Sequence, residues 1–223
     1  MIKFWLASFG HSGYQNGPTY GDFEAQRHWM ELTVSLPFRE WYIETIYNPL
    51  TWWRLDYPPV SAYWAYITGL FAQKIYPKMI ELESSRGIED DITRIIMHLT
   101  VLIGDFIIYL PGVIAITDII TRNYHLKMIM DYFNVNIVYI LSDKNSNTIT
   151  QNNINDFLLE KKPLSFFVLF FLLFSQPLLL IIDHGHFQYN SICLGLLLLT
   201  LSSSLQQKWF QTTFFFITCC LFK

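Results

Sequence analysis

The chain has 223 residues, a formal net charge of −3 and 52% hydrophobic residues. Only 15% of its residues are charged, well below the roughly 25% of a typical soluble domain, so the composition predicts a membrane protein. Scattered lysines and arginines argue against a nucleic-acid partner. The cysteines exclude a disulfide framework and a Cys/His zinc spacing, because all of them lie in the apolar C-terminal third: Cys193, Cys219 and Cys220.

Residues 1–91 predict a remnant of a first membrane segment followed by a large extramembrane loop. Residues 2–9 are apolar but too short to cross a bilayer, and their flanks do not form a signal peptide. Residues 11–91 mix aromatic side chains, prolines and charges without an apolar run of spanning length. We expect this loop to form amphipathic helices at a membrane surface.

A first polar cluster lies at residues 20–29, which read Tyr-Gly-Asp-Phe-Glu-Ala-Gln-Arg-His-Trp. If Asp22 opens a helix, it stands in line with Gln26 and Trp29, and this face could meet a substrate. The neighbouring face carries Glu24, Arg27, His28 and Glu31. The alternative is that Asp22 is an ordinary N-cap and that Glu24 and His28 form a helix-stabilising pair, each worth at most about 1 kcal/mol.

A second cluster precedes a predicted interfacial helix. Pro58 and Pro59 suit a helix start, because proline has a preset φ and no amide hydrogen to leave unpaired, and the helix should run to about Lys74. Asp56 and the rigid turn after it, from Tyr57 to Pro59, either shape a ligand pocket, or Asp56 merely complements the helix dipole. The helix is aromatic-rich, which fits the headgroup boundary. Its large side chains recur at helical spacing: Val60, Tyr63, Trp64, Ile67, Leu70 and Phe71.

Residues 92–223 predict transmembrane helices. We expect a span at about 95–116, in which Pro111 and Gly112 can kink the helix, and a stronger span at 163–182. Residues 128–141 are apolar but short, and the Asn-rich stretch near 142–160 predicts a solvated insertion. Residues 191–205 and 209–222 predict two further membrane segments. Since the last segment is still apolar at the chain end, we expect the sequence to lack the C-terminal part of a longer protein.

The distribution of basic residues predicts the orientation of the chain. The region between the two clearest spans carries Lys and Arg, whereas residues 183–190 carry none. By the positive-inside rule the first side is cytosolic, so residues 11–91 and 183–190 should share the opposite, lumenal side. The basic residues concerned are Arg122, Lys127, Lys144, Lys161 and Lys162.

A third cluster, residues 182–190, reads Ile-Asp-His-Gly-His-Phe-Gln-Tyr-Asn at the end of a predicted span. Asp183, His184 and His186 lack the i, i+4 pairing of a zincin helix, so a metal site is less plausible than polar contacts to a phosphate or sugar. Arg94 and Asp105 raise the same question within the membrane region, although Arg94 could simply extend its charge to the interface.

Four ordered blocks carry a family resemblance: residues 20–31, Leu-Asp-Tyr-Pro-Pro at 55–59, Leu-Thr-Val-Leu-Ile at 99–103 and residues 182–191. Together they resemble the dolichyl-phosphate-glucose-dependent α-1,3-glucosyltransferases of lipid-linked oligosaccharide assembly. The forms of the first and last blocks are similar to the enzyme that adds the first glucose to Man9GlcNAc2-PP-dolichol. The resemblance covers most of residues 20–205 except the Asn-rich insertion.

The resemblance implies an all-α, multi-pass GT-C membrane fold in the endoplasmic reticulum, with a large first lumenal loop. It implies metal-independent, inverting transfer of glucose within protein N-glycosylation, without a cofactor, from the donor dolichyl phosphate glucose to the lipid-linked oligosaccharide. Position by position, the catalytic base would be Asp22. The substrate-binding candidates are Glu24, Arg27, His28, Asp56, Tyr57, Asp183, His184, His186 and Gln188.

Two other interpretations stay open at this point. The chain could resemble the second-glucose enzyme of the same family, which acts on an acceptor that already carries one glucose. Family members are about twice as long as this chain, so it could also be a truncated, non-catalytic membrane protein that keeps the lumenal motifs.

Overall fold

A computed structural model describes residues 10–17, 20–122 and 166–223, and within these residues the protein is all-helical without strands. Two helices belong to the first loop: α1 (Gly21–Ser35) and α2 (Pro59–Ile75). Helix α3 comprises Asp91–Gly104 and Leu110–Arg122, which the π-helical turn Asp105–Tyr109 joins. Helix α4 comprises Phe166–Phe174, Pro177–Leu179 and the π-helical segment Leu180–His186. The described chain ends with α5 (Asn190–Leu205) and α6 (Trp209–Cys220). Short 3-10 turns lie at Phe38–Glu40 and Pro77–Ile80.

Local sequence explains where the loop helices begin. Tyr20 and Gly21 both have a positive φ, of 56° and 65°, which turns the chain sharply into α1. The first turn of α1 then carries Asp22 and Glu24, whose charges complement the helix dipole. Pro59 occupies the first turn of α2, as its missing amide hydrogen predicts, so the predicted helix from 59 to about 74 is confirmed.

Helix α3 begins with a side-chain cap. The carboxylate of Asp90 accepts a hydrogen bond of 2.8 Å from the backbone amide of Thr93. Helix α3 then extends well beyond the predicted span of 95–116, because it continues through the π-helical turn to Arg122.

Among the described residues, two helices are long and apolar enough to cross a membrane, Asp91–Thr121 with 31 residues and Phe166–His186 with 21, whereas Asn190–Leu205 is apolar but shorter. The second of these helices exposes most of its apolar surface: Phe167 is 77% and Phe171 67% exposed. An apolar helix with an uncovered surface suits lipid rather than water. Residues 1–9, 128–141 and 142–160, for which a first-helix remnant, a short apolar piece and an insertion were predicted, lie outside the described residues.

One hydrophobic core joins the first loop to the apolar helices. Its buried side chains come from α1, α2, α3, α5 and the segments between them, and include Phe23, Met30, Leu55, Met97 and Ile192. Helices α3 and α5 approach closely at glycines, because a Cβ on Gly195 would lie 2.7 Å from the Cα of Tyr109. The shared core therefore holds the first turn of α1 against the end of α4.

Candidate active site

Asp22 contacts the third cluster across the fold. Its Oδ2 accepts a hydrogen bond of 2.7 Å from Nε2 of Gln188 and lies 3.1 Å from Nδ1 of His186. The Asp22 side chain is 31% exposed and that of His186 is 55% exposed, so both can be reached from outside. Residues 11–91 and 183–190 were predicted to share one side of the membrane, and these contacts bring the two segments together.

The two carboxylate oxygens of Asp22 differ in their contacts. Oδ1 makes no hydrogen bond to any residue in the described ranges. Asp22 is not an N-cap either, because the cap position is Tyr20 and the Asp22 side chain bonds no amide of its own helix. The structural alternative for Asp22 is thus wrong, and the carboxylate is positioned by its contacts with residues 186 and 188.

Gln188 is held in one orientation. Its Oε1 accepts hydrogen bonds from Nδ2 of Asn190 at 3.0 Å and from Nζ of Lys223 at 2.8 Å. Because the amide oxygen is occupied by two donors, the amide nitrogen must face Asp22. Lys223 also donates to Oδ1 of Asn190 at 2.6 Å. No pattern in the sequence indicated Lys223, since it follows an apolar helix far from the motif.

Asp183 and His184 are buried behind this surface. Asp183 accepts from the backbone amides of Asn190 at 3.0 Å and Ser191 at 2.6 Å, and so caps the start of α5. His184 Nε2 lies 2.8 Å from Oδ2 of Asp105 on α3. These contacts are internal to the protein, and a direct contact of Asp183 or His184 with substrate stays a prediction. His186, two residues further along the π-helical segment, is the histidine that contacts Asp22.

Phe187 anchors the turn between α4 and α5. It has a positive φ of 78° and is fully buried. Its ring packs edge-on against Phe23, with the centroids 5.1 Å apart, and against His98 at 5.6 Å. Since Phe23 is the next residue after Asp22, this aromatic contact fixes the spacing between the carboxylate and its two partners.

Arg27 lies at the centre of a buried ion-pair network. Its guanidinium donates to both carboxylate oxygens of Glu24, at 2.6 and 2.7 Å, and to Glu31 at 2.8 Å. A further nitrogen donates to the carbonyl of Met79 and the hydroxyl of Ser85, both at 2.7 Å. The side chain has no exposed surface. These are the contacts of a scaffold that joins α1 to residues 79–85.

The charges of this network stabilise each other. Burial would lower the pKa of Arg27, but the hydrogen bonds and charges of Glu24 and Glu31 outweigh it and raise that pKa. Burial would likewise raise the pKa of Glu31, but the hydrogen bond from His28 and the charge of Arg27 lower it to about 2. His28 Nδ1 lies 3.1 Å from Glu31. The side chains of Glu24, Arg27 and His28 are buried and expose no contact surface, so their substrate-binding roles stay predictions.

Tyr57 closes one side of the Asp22 site. Its ring packs against Trp29 at 4.8 Å, and Nζ of Lys223 lies 5.4 Å from its centroid. Burial, followed by the negative charges of Asp22 and Asp56, raises the pKa of the Tyr57 hydroxyl. Asp56 itself is exposed and lines a separate cleft with residues 50–54. Tyr57 thus lies beside the predicted base, Asp22, whereas Asp56 lies in the separate cleft.

Comparison with known proteins identifies relatives of the whole chain. Residues 1–223 match the family described as the ALG6, ALG8 glycosyltransferase family. The chain is 34% identical over 223 residues to a probable dolichyl pyrophosphate Man9GlcNAc2 alpha-1,3-glucosyltransferase of Dictyostelium discoideum, a match covering 100% of this chain and 36% of the relative.

Two further relatives carry the name dolichyl pyrophosphate Man9GlcNAc2 alpha-1,3-glucosyltransferase. The protein of Gallus gallus is 39% identical over 192 residues, covering 86% of this chain and 30% of the relative. The protein of Saccharomyces cerevisiae is 34% identical over 215 residues, covering 96% of this chain and 32% of the relative. The chain thus spans about a third of the length of these curated relatives.

Proposed function

Because the chain belongs to the ALG6/ALG8 glycosyltransferase family, we propose that the protein transfers glucose from dolichyl phosphate glucose to Man9GlcNAc2-PP-dolichol in α-1,3 linkage. The relatives are named for this acceptor, which supports the first-glucose reaction over the second. The donor and the inverting course of the reaction follow from the resemblance of the sequence blocks.

One observation carries the proposal: the partly exposed carboxylate of Asp22 is oriented through Oδ2, and its Oδ1 has no hydrogen-bond partner among the described residues. A general base must lie within hydrogen-bond reach of the proton that it removes and must be held in place. Gln188 and His186 hold Oδ2 at 2.7 and 3.1 Å. Oδ1 is then available to the 3-hydroxyl of the terminal mannose.

The chemistry is a single displacement. Asp22 takes the proton of the mannose 3-hydroxyl as its oxygen forms a bond to the anomeric carbon of glucose. The bond from that carbon to the phosphate oxygen breaks on the opposite face, and dolichyl phosphate leaves with the electron pair. One displacement inverts the anomeric centre. Because the leaving group is already an anion, the site needs donors or cations near the phosphate more than it needs a second carboxylic acid.

His186 is the best-placed candidate for contact with the donor phosphate. It is the only one of the four basic candidates, Arg27, His28, His184 and His186, whose side chain is largely exposed in the described ranges. With Nδ1 facing Asp22, Nε2 of this imidazole would be the atom that donates to the phosphate oxygen that leaves. We propose that the chain itself supplies this charge stabilisation, so that the reaction is independent of a metal ion.

The membrane-facing surface supports a site at the bilayer boundary. Helix α2 packs its small side chains inward, including Ala62, Ala65 and Ala72, and exposes large apolar ones. This arrangement suits a helix lying in the interface. We propose a GT-C fold in the endoplasmic reticulum membrane, with α2 and the Asp22 site on the lumenal face. The exposed side chains of α2 are Tyr63, Ile67, Leu70, Phe71 and Ile75.

The test is transfer by the full-length protein in microsomes supplied with dolichyl phosphate glucose and Man9GlcNAc2-PP-dolichol. We expect Asp22→Asn to lower product formation by at least about a hundredfold, the lower range for loss of general-base catalysis. Asp91→Asn is the matched control, because the Asp91 side chain is 91% exposed at the start of α3. Equal turnover by Asp22→Asn and Asp91→Asn would remove Asp22 from the role of base.

A further inference from the structure

We propose that a cleft next to the Asp22 site binds mannose residues of the acceptor that do not react. The cleft has a volume of about 490 Å³ and is lined by Leu50, Thr51, Trp52, Trp53, Arg54 and Asp56. The proposal deepens the proposed function and rests on it. It assigns substrate contacts to Trp52, Trp53 and Arg54, whose chemistry the motif blocks do not explain.

The cleft is connected to the candidate active site through α1. Nε1 of Trp29 donates a hydrogen bond of 2.9 Å to the carbonyl of Trp53, and the Trp29 ring packs against Tyr57 at 4.8 Å. Trp29 lies seven residues after Asp22 on the same helix, which corresponds to about 10.5 Å along the axis. An extended glycan whose end reaches Asp22 would therefore pass over this part of the loop.

The walls of the cleft are held in place before any ligand binds. The guanidinium of Arg86 lies 5.8 Å from the ring centroid of Trp52 and also donates to the carbonyl of Tyr47 at 3.3 Å. Trp53 has a positive φ of 22°, an unusual conformation that the hydrogen bond from Trp29 fixes. Strained backbone of this kind is concentrated at ligand-binding sites.

The polar groups of the cleft suit a neutral, hydroxyl-rich ligand. The side chains of Arg54 and Asp56 make no hydrogen bond or ion pair within the described part of the chain, so they offer donors and acceptors together. The opposite charges of Arg54 and Asp56 offset each other, which favours a neutral ligand, and indole rings can cover the apolar faces of sugar rings. Mannose fits this combination better than the charged end of the donor.

The experiment measures steady-state kinetics of the full-length protein carrying Arg54→Ala or Asp56→Asn. Loss of a hydrogen bond to a charged group predicts that the KM for Man9GlcNAc2-PP-dolichol rises about tenfold. The KM for dolichyl phosphate glucose should stay at the wild-type value. With an acceptor that keeps the reacting arm but lacks the mannoses of the other branches, the difference between variant and wild type should largely disappear.

Arg39→Ala is the matched control, because the Arg39 side chain is 85% exposed and lies outside the cleft. An acceptor KM that does not exceed that of Arg39→Ala, or a rise in the donor KM instead, would overturn the proposal.

If the wild-type protein transfers no glucose, the proposed function fails separately. The cleft is then tested by binding of free Man9GlcNAc2 oligosaccharide, measured by tryptophan fluorescence. Binding weakened by Arg54→Ala would support the cleft, and no binding would refute it.

Discussion

Asp22 and Arg27 lie five residues apart on one helix and have opposite environments. Asp22 is 31% exposed and has one carboxylate oxygen without a partner in the described part of the chain, whereas Arg27 is fully buried and uses its donors on Glu24, Glu31, Met79 and Ser85. The first arrangement leaves a group available for chemistry. The arrangement of Arg27 leaves none of its donors available, so we expect Arg27 to contribute to the stability of the fold.

Replacing Arg27 should therefore destabilise the protein. Arg27→Met leaves the carboxylates of Glu24 and Glu31 buried without their cation, which typically costs about 3–5 kcal/mol. We expect the melting temperature of the purified protein in detergent to fall by at least about 6 °C. Arg39→Met, at an exposed arginine, should change it by less than about 2 °C. Melting temperatures that agree between the two variants would contradict the network's structural role.

This comparison is best made near pH 7. The folded-state pKa of Glu31 is about 2, below the ordinary value of 4.5. The stability that the ionised Glu31 contributes is therefore fully present above pH 4.5 and is lost as the pH falls toward 2. At pH 7 the measured difference includes the whole contribution of this carboxylate.

The sequence predicted that the Asp22 cluster and residues 183–190 share one side of a membrane, but not the division of α1 into an exposed Asp22 and a buried Arg27. The shared side followed from the basic residues that flank the predicted spans. The division did not follow, because residues 23–33 of α1 are buried almost all round and a helical period cannot then distinguish one face from another. The carbonyl of Met79 and the hydroxyl of Ser85, which complete the burial of Arg27, come from distant sequence.

Helices α3 and α5 lie in direct backbone contact. A Cβ on Gly195 would lie 2.7 Å from Cα of Tyr109 and 2.8 Å from the carbonyl carbon and oxygen of Ile108. A Cβ on Gly112 would lie 2.6 Å from the carbonyl oxygen of Gly195. Small residues at such crossings let apolar helices pack through their backbones. This packing positions the start of α5, which Asp183 caps beside the active site.

A methyl group at Gly195 should separate the two helices. We expect Gly195→Ala to destabilise the protein by about 1–3 kcal/mol, because backbone atoms cannot move aside as a flexible side chain could. The measurement is thermal unfolding in detergent. Gly185→Ala is the control, since a Cβ there meets nothing within 4 Å. Unfolding temperatures that are the same for both variants would show that the close approach does not hold the helices together.

The helix starts could be predicted locally, and the π-helical segments could not. Pro58 and Pro59 marked the start of α2, and an uninterrupted apolar run marked most of α4. The segments Asp105–Tyr109 and Leu180–His186 were not predicted, because π-helical turns are rare interruptions within α-helices. Those segments carry Asp105, Asp183 and His184. The sequence therefore identified these polar residues without showing that all three side chains are buried.

At the scale of the whole molecule, the catalytic proposal depends on two distant segments sharing a core. Gln188 and Asp22 are 166 residues apart in sequence, and their hydrogen bond spans the first loop and the end of α4. The buried contact between Phe23 and Phe187 lies directly behind it. For the membrane protein that we propose, this contact requires that α3 and α4 together return the chain to the side from which it started.

The most direct test is cross-linking of Asp22→Cys with Gln188→Cys in sealed microsomes, in a background where Cys193, Cys219 and Cys220 are replaced by Ser. The paired side chains are 2.7 Å apart at their polar atoms, so a short bifunctional thiol reagent should join them. We predict a cross-link only when the reagent can enter the lumen. Asp22→Cys with Gln206→Cys, at the far end of α5, should give none. A cross-link formed from the cytosolic side, or none after the membrane is opened, would contradict the account.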